Sequence, residues 1–462
     1  MAFFINKKLI TGLGLWLMLF LGYNTYPQKL DFSNFLKFFH GIRAFFPILA
    51  GFLALILLLR KRPSVLKILK TPLGLLTFYV LIGFISSIFL SLKPFLALYW
   101  AFSYFSVLLV LFLFLTDSEL SFSSLFNLNS FVVFVLTIGL FGLFLSQPGA
   151  FQVLVNGSFL RGRPYESLAN VSAGKEMLEM VGTRPTGLGR YAGVAALIAL
   201  AKLLSDKRKL KLNWFFFFIL FYFILVFSQA KAALLGFVLG SFLVFLFTSQ
   251  SKFAVFKWSL FTLLHSALIA VLLFYLPLFY IPHLEKMAAS GPTESVGSVS
   301  KRVALVSKPT VSVSEPNLKE ETISFFTLSG RTVTIWPKDF KFFLKSPLIG
   351  WGFYGDRIFP EAGHAHNAIL HALIQTGIIG TIFFGLAFVW AWIVLFRFFK
   401  KPFIIKEENS LLIETAGILA FFTIRGITES SGAFFGTDWL ILAPLLAYIA
   451  ALNQKKENVK KG

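Results

Sequence analysis

Along this chain, apolar runs of about twenty residues alternate with short basic loops, and that rhythm leaves few folds open. The runs fall at about 9–23, 42–59, 73–92, 95–115, 130–147, 191–205, 213–228, 231–248, 258–279, 377–396, 410–425 and 435–452. Each is close to the length an α-helix needs to cross the hydrocarbon core of a bilayer. A large soluble core is the alternative, but the 462 residues are 57% hydrophobic, 14% charged and have a mean hydropathy of +0.78. Water cannot be the only solvent for so much apolar surface. The expected fold is therefore an all-α polytopic membrane protein of about twelve transmembrane helices, with residues 1–462 forming one integral membrane domain.

The remaining composition narrows the function. A net charge of +22 would point to nucleic acid in a soluble protein. Here the Lys and Arg residues gather beside membrane segments, so nucleic acid is not an expected partner and membrane lipid is. The chain has no cysteine, which excludes disulfides, thiolate metal sites and a cysteine nucleophile. The opening "INKKLITGLGLWLMLFLGY" resembles a signal peptide but lacks a small-x-small cleavage site, so it reads as a retained first helix.

Orientation follows from the loops. Lys7 and Lys8, "RKRPSVLKILK" at 60–70, "DKRKLKL" at 206–212, "RFFKKPFIIK" at 397–406 and the terminal "QKKENVKKG" fall on one side under this count. The positive-inside rule makes that side cytoplasmic and puts both termini there. Two long segments then face outward, 148–190 and 280–376, the second lying between spans 9 and 10. Within it, "LSGRTVTIWPKDFKFFLKSPLIGWGFYG" places Trp336, Phe340, Phe343 and Leu344 at helical spacing among Lys338, Lys341 and Lys345. That pattern predicts an amphipathic helix on the outer membrane surface, ended by Pro347 and the glycines.

Cytoplasmic crowding accounts for only part of the basic residues. Arg184, Arg190, Lys231, Arg331 and Arg425 fall on the outer side, several within a turn of a membrane segment. Such side chains can anchor helix ends by snorkelling. Gathered in one leaflet, guanidinium groups also offer the forked donors that phosphate oxygens need.

Half of the six histidines lie in "HAHNAILHALIQTGIIG", at the mouth of an apolar run. Three readings of His364, His366 and His371 stand side by side. They form an H-x-H-based metal set, for which Glu361 is the only acid close in sequence. They are structural, with His366 and Asn367 capping a helix and His371 one turn further along the same face. Or one of them is a neutral imidazole able to take a proton from a sugar hydroxyl.

These residues carry a recognisable pattern. "HNAILHALIQTGIIG" resembles the H-N-x9-G-x-x-G signature of the O-antigen ligase family, with His366, Asn367, Gly377 and Gly380 in register. "GRTVTIWPKDFKFFLKSPLIGWGFYG" is similar to the segment preceding that signature, and "TRPTGLGRYAGVAAL" to the earlier R-x-x-G element. "SQAKAALLG" resembles the family's S-R-G-A-L-L turn, with Lys231 where arginine is usual. The resemblance spans roughly residues 180–400 and covers O-antigen ligases, O-antigen polymerases and related O-linked oligosaccharyltransferases.

The resemblance implies a GT-C-like membrane glycosyltransferase of lipopolysaccharide or polysaccharide biosynthesis, in a bacterial inner membrane with its site facing the periplasm. The donor would be a glycan on undecaprenyl pyrophosphate, and the acceptor a hydroxyl of lipid A core, a lipid-linked glycan or a protein. It implies His366 as the base, Arg184, Arg190, Lys231 and Arg331 as pyrophosphate ligands, and Asn367, His364, Arg425, Gly377 and Gly380 in support. No metal or other cofactor is expected. Attack by the deprotonated hydroxyl on the anomeric carbon would invert that centre, with basic side chains bearing the charge of the leaving pyrophosphate. A repeat-unit polymerase sharing the same donor is the nearest alternative. A twelve-helix transporter or flippase is the alternative from another class, and it would place charges near mid-membrane rather than at the outer boundary.

Overall fold

A computed structural model describes residues 7–23, 42–61, 68–145, 185–205, 211–228, 230–248, 335–359, 364–400 and 406–461. Among them every regular element is a helix: α1 (Lys7–Tyr23), α2 (Phe45–Lys61), α3 (Pro72–Phe89), α4 (Pro94–Thr116), α5 (Phe122–Leu145), α6 (Pro185–Ser205) and α7 (Lys211–Ser228). After these come α8 (Lys231–Thr248), α9 (Trp336–Phe343), α10 (Gly355–Ile358), α11 (Ala368–Lys400), α12 (Lys406–Thr428) and α13 (Thr437–Lys461). Eight are long and apolar enough to cross a membrane: α3 to α8, α11 and α12. Helices α1, α2 and α13 occupy three further predicted runs, whereas the run at 258–279 and most of the 148–190 segment lie outside the described residues.

Local chemistry sets several boundaries. Thr71 caps α3 by accepting from the Gly74 N–H at 3.3 Å, and Pro72 then occupies the first helical position, where no N–H is needed. Pro94 opens α4 in the same way. Leucine, phenylalanine and isoleucine fill the interiors on nearly all faces, because one face meets protein and the other has to meet lipid. On α7, Phe215, Phe216, Ile219 and Phe223 stay exposed while Phe221, Ile224 and Leu225 are buried.

Two helices form the interior. Helix α13 is buried from Trp439 to Ala450 and packs against α1, α3, α4, α5, α11 and α12. Helix α6 is buried from Tyr191 to Ala201 and packs against α5, α7, α8 and α12. Tyr104 stacks on Trp439 with ring centroids 4.3 Å apart, joining α4 to α13.

The two ends of the bundle differ chemically. At one end Lys8 pairs with Glu119, Lys61 with Asp117, and Lys202 with Glu414 at 3.5 Å. These residues sit beside the basic loops, so α1, α2, α4, α6 and α12 converge there as the loop charges require. Helix α12 runs from that end to Arg425 and Thr428, about 30 Å away at 1.5 Å per residue. The histidines gather at this far end.

The predicted amphipathic helix is present as α9, with one side packed against the protein. Asp339, Phe342 and Phe343 are buried, while Phe340 and Leu344 are exposed. The helix turns inward because Phe342 stacks on Trp351 at 5.0 Å, a contact made only once the following loop folds back.

Candidate active site

That loop, residues 344–354, shapes the site. Helix α11 is broken at Gly377, whose φ of 62° and ψ of −166° lie outside the helical region. The break leaves the carbonyls of Ile374 and Gln375 and the N–H groups of Ile378 and Ile379 without helical partners. The loop supplies all four: Trp351 and Gly352 donate to Ile374 and Gln375 at 2.8 and 2.9 Å, and Pro347 and Leu348 accept from Ile378 and Ile379 at 2.8 and 3.2 Å. A Cβ on Gly377 would lie 2.2 Å from the Leu348 carbonyl carbon, so the contact itself requires glycine. The glycines of "PLIGWG" and of the histidine signature are thus two halves of one joint.

Helix α11 opens beside the joint. Asn367 accepts from the Leu370 N–H at 2.8 Å through Oδ1, as an N-cap does, and donates through Nδ2 to the Ile427 carbonyl at 2.9 Å. His366 precedes it with a φ of 46°, a left-handed conformation that costs free energy in a non-glycine residue. That turn places His366 Nδ1 3.2 Å from Glu429 Oε2, just past the end of α12. A carboxylate can only accept, so Nδ1 carries a proton, and in the neutral ring Nε2 then holds the lone pair.

His364 forms a second imidazole–carboxylate pair, Nδ1 to Asp356 Oδ2 at 3.1 Å, and its ring centroid is 4.2 Å from that of His366. Its Nε2 lies 3.4 Å from Arg357 Nη2. Burial first, then the neighbouring Arg357 charge, lowers its pKa below the ordinary histidine value despite the opposing Asp356. His371 is buried one turn into α11, with Nδ1 3.2 Å from the same Asp356 oxygen. Burial alone would raise the Asp356 pKa, but the His371 and His364 imidazoles outweigh it and hold the carboxylate well below its usual range. Gln375 fixes the other side of His371. Its amide nitrogen faces the Ala433 carbonyl at 3.0 Å, so its Oε1 accepts from His371 Nε2 at 2.6 Å and from the Tyr354 N–H at 3.2 Å.

The structure brings some predicted residues together and not others. His364, His366 and Asn367 share one rim. Arg425 lies one turn before Glu429, buried, and donates to Ser431 at 2.9 Å and to Asp438. Arg190 reaches the other oxygen of Asp438 at 2.9 Å, so both guanidiniums hold one carboxylate and one net positive charge remains. Lys231 opens α8 and is exposed. Arg184 and Arg331 lie outside the described residues. Gly377 forms the joint, and Gly380 sits under the Thr376 side chain.

Four contributors escaped the sequence reading: Asp356, Gln375, Glu429 and Asp438. Only two signals pointed to them, an isolated acid in "GFYGD" and another in "TESSG" shortly after Arg425. Beside the rim, Trp336, Pro337, Phe340, Asn367, Ile369, Leu370 and Leu373 line an open, mostly apolar groove of about 450 Å³.

Fold and site together define a helical, multi-pass membrane protein carrying paired histidine–carboxylate groups at one end of its bundle. A family model described as O-antigen ligase matches residues 214–385, so this region of the chain is similar to that family. The match takes in His364, His366, Asn367, Gly377 and Gly380, and it bears out the resemblance drawn from the motifs. It supports a membrane enzyme that transfers glycans. No curated protein and no solved structure matches the chain.

Proposed function

We propose that the protein transfers a glycan from undecaprenyl pyrophosphate to an acceptor hydroxyl on the outer side of the bacterial inner membrane, within a GT-C-like fold of about twelve spans. The observation that carries the reading is the His366–Glu429 pair at 3.2 Å, which in the neutral ring turns the proton to Nδ1 and leaves Nε2 as the base, at a rim beside the buried Arg425. In this mechanism His366 Nε2 takes the acceptor proton as the oxygen attacks the anomeric carbon. Glu429 holds the ring and balances the charge the imidazole gains. The C–O bond to pyrophosphate breaks on the opposite face, so the centre inverts.

The excess charge of the Arg190–Asp438–Arg425 group favours an anion nearby, and Arg184, Arg331 and Lys231 complete the proposed pyrophosphate set. The transfer step as drawn uses these cations and no metal ion. The groove lined by Trp336 and Phe340 gives the apolar polyprenyl chain a surface next to the rim.

Incubating purified protein with lipid-linked repeat, with and without lipid A core, tests this reading. Transfer to the core marks a ligase, and lengthening of the repeat alone marks a polymerase. His366→Ala is expected to lose about 10²–10⁴-fold in rate while still inserting into the membrane. Near-normal transfer by that variant would refute the assignment of the base.

A further inference from the structure

Asp356, His364 and His371 come from two separate stretches of chain, yet one donor atom of each lies within 4.8 Å of the others. Asp356 and His371 are each 1% exposed. Two atoms in this cluster lack any hydrogen-bond partner, Asp356 Oδ1 and His371 Nδ1. His371 Nδ1 is 3.2 Å from Asp356 Oδ2 and still makes no hydrogen bond with it, so the two groups are close without being aligned on each other. Gln375 holds the proton of His371 on Nε2, which turns the Nδ1 lone pair toward the carboxylate. Two buried acceptors facing each other are unfavourable unless a positive particle lies between them.

We infer that Asp356, His364 and His371 bind a first-row divalent transition-metal ion, zinc foremost, which clamps the Gly355–Ile358 turn onto α11. The spacing fits: ligands about 2.0–2.1 Å from a tetrahedral ion sit about 3.3–3.4 Å apart. Asp356 Oδ2 is 3.1 Å from His364 Nδ1 and 3.2 Å from His371 Nδ1. Two imidazoles and a carboxylate suit zinc, and magnesium or calcium would call for more oxygen ligands. The hydrogen bond from His371 to Gln375 is the outer contact that ligating histidines ordinarily make. Coordination through His364 Nδ1 moves that ring's proton to Nε2, next to Arg357. Arg357 is exposed and already lies over the Tyr354 and Phe434 rings at 5.1 and 5.8 Å, so its guanidinium keeps partners when it turns aside.

The ion holds the rim in shape and takes no part in the proposed transfer, so the inference stands apart from that reading. The test uses tag-free, detergent-purified full chain, stripped with a chelator, incubated with Zn²⁺ and passed through gel filtration before elemental analysis. Wild type is expected to retain about one ion per chain, the content of a single mononuclear site. Asp356→Asn and His364→Gln are expected to retain at least tenfold less, and His366→Gln as much as wild type. His364 is part-exposed, so its replacement guards against misfolding of the Asp356 variant. Loading with Co²⁺ adds a spectroscopic readout, the visible absorption of nitrogen–oxygen ligation, present in wild type and lost in His364→Gln. Metal-free wild type after this treatment, or equal retention by wild type and His364→Gln, overturns the inference. Either result leaves glycan transfer to be judged by its own assay.

Discussion

Replacing Gly377 with alanine tests the joint on which the site rests. The residue holds a φ of 62°, and a Cβ there would lie 2.2–2.4 Å from three backbone atoms of Leu348 and Ile349. Backbone cannot move aside as a side-chain tip can, so the loop must leave or α11 must straighten. Holding alanine in this conformation costs about 1–3 kcal/mol. If the loop leaves, the four backbone bonds between 347–352 and 374–379 go with it, at about 0.5–1.5 kcal/mol each. The total loss is at least about 3 kcal/mol, and low polarity at the membrane boundary raises it. Gly385→Ala is the control in the same helix, because a Cβ there meets nothing within 4 Å. It should change stability by no more than about 1 kcal/mol, in the stabilising direction. Equilibrium unfolding in mixed micelles, followed by tryptophan fluorescence, reads both variants, with Trp351 reporting from the loop itself. A Gly377→Ala protein within about 1 kcal/mol of Gly385→Ala would refute the account of the joint.

Other expectations follow from the same geometry. Glu429→Gln keeps an acceptor for His366 but removes the balancing charge, so kcat should fall about tenfold or more while KM stays near wild type. A KM effect without a kcat effect would argue against the pairing. Asp438→Ala removes the carboxylate that the half-buried Arg190 and the buried Arg425 share and should cost about 3–5 kcal/mol, seen as a lowered melting temperature. At the opposite end, burial raises the Asp117 pKa, but the hydrogen bond from Lys61, the Glu119 N–H and the Lys61 and Lys8 charges hold it below the ordinary carboxylate value. Its contribution to stability is present above the unfolded value of about 4 and is lost as pH falls through the folded one. The melting difference between wild type and Lys61→Met should therefore shrink below about pH 4.

Much of this protein was legible without coordinates. The apolar runs named the helices because a bilayer imposes one length and one composition on any segment that spans it, and eleven of the twelve expected runs coincide with a helix. The His-Asn-Gly spacing marked the rim and carried the resemblance to the O-antigen ligase family that the family-model match supports, since it lies along one continuous stretch of chain. What periodicity could not reveal is which acid meets which histidine. Glu361 was the nearest in sequence, yet Asp356 takes two of the imidazoles and Glu429 takes the third. Those pairs form because α12 ends beside the start of α11 and because the 344–354 loop replaces the hydrogen bonds broken at Gly377. The arginines illustrate the same division. Their place beside the ends of apolar runs can be read along the chain, whereas the sharing of Asp438 by Arg190 and Arg425 depends on the packing of α6, α12 and α13. Hydrophobic length is a property of a segment and can be read along the chain. A charge pair is a property of two distant segments, and only their packing decides it.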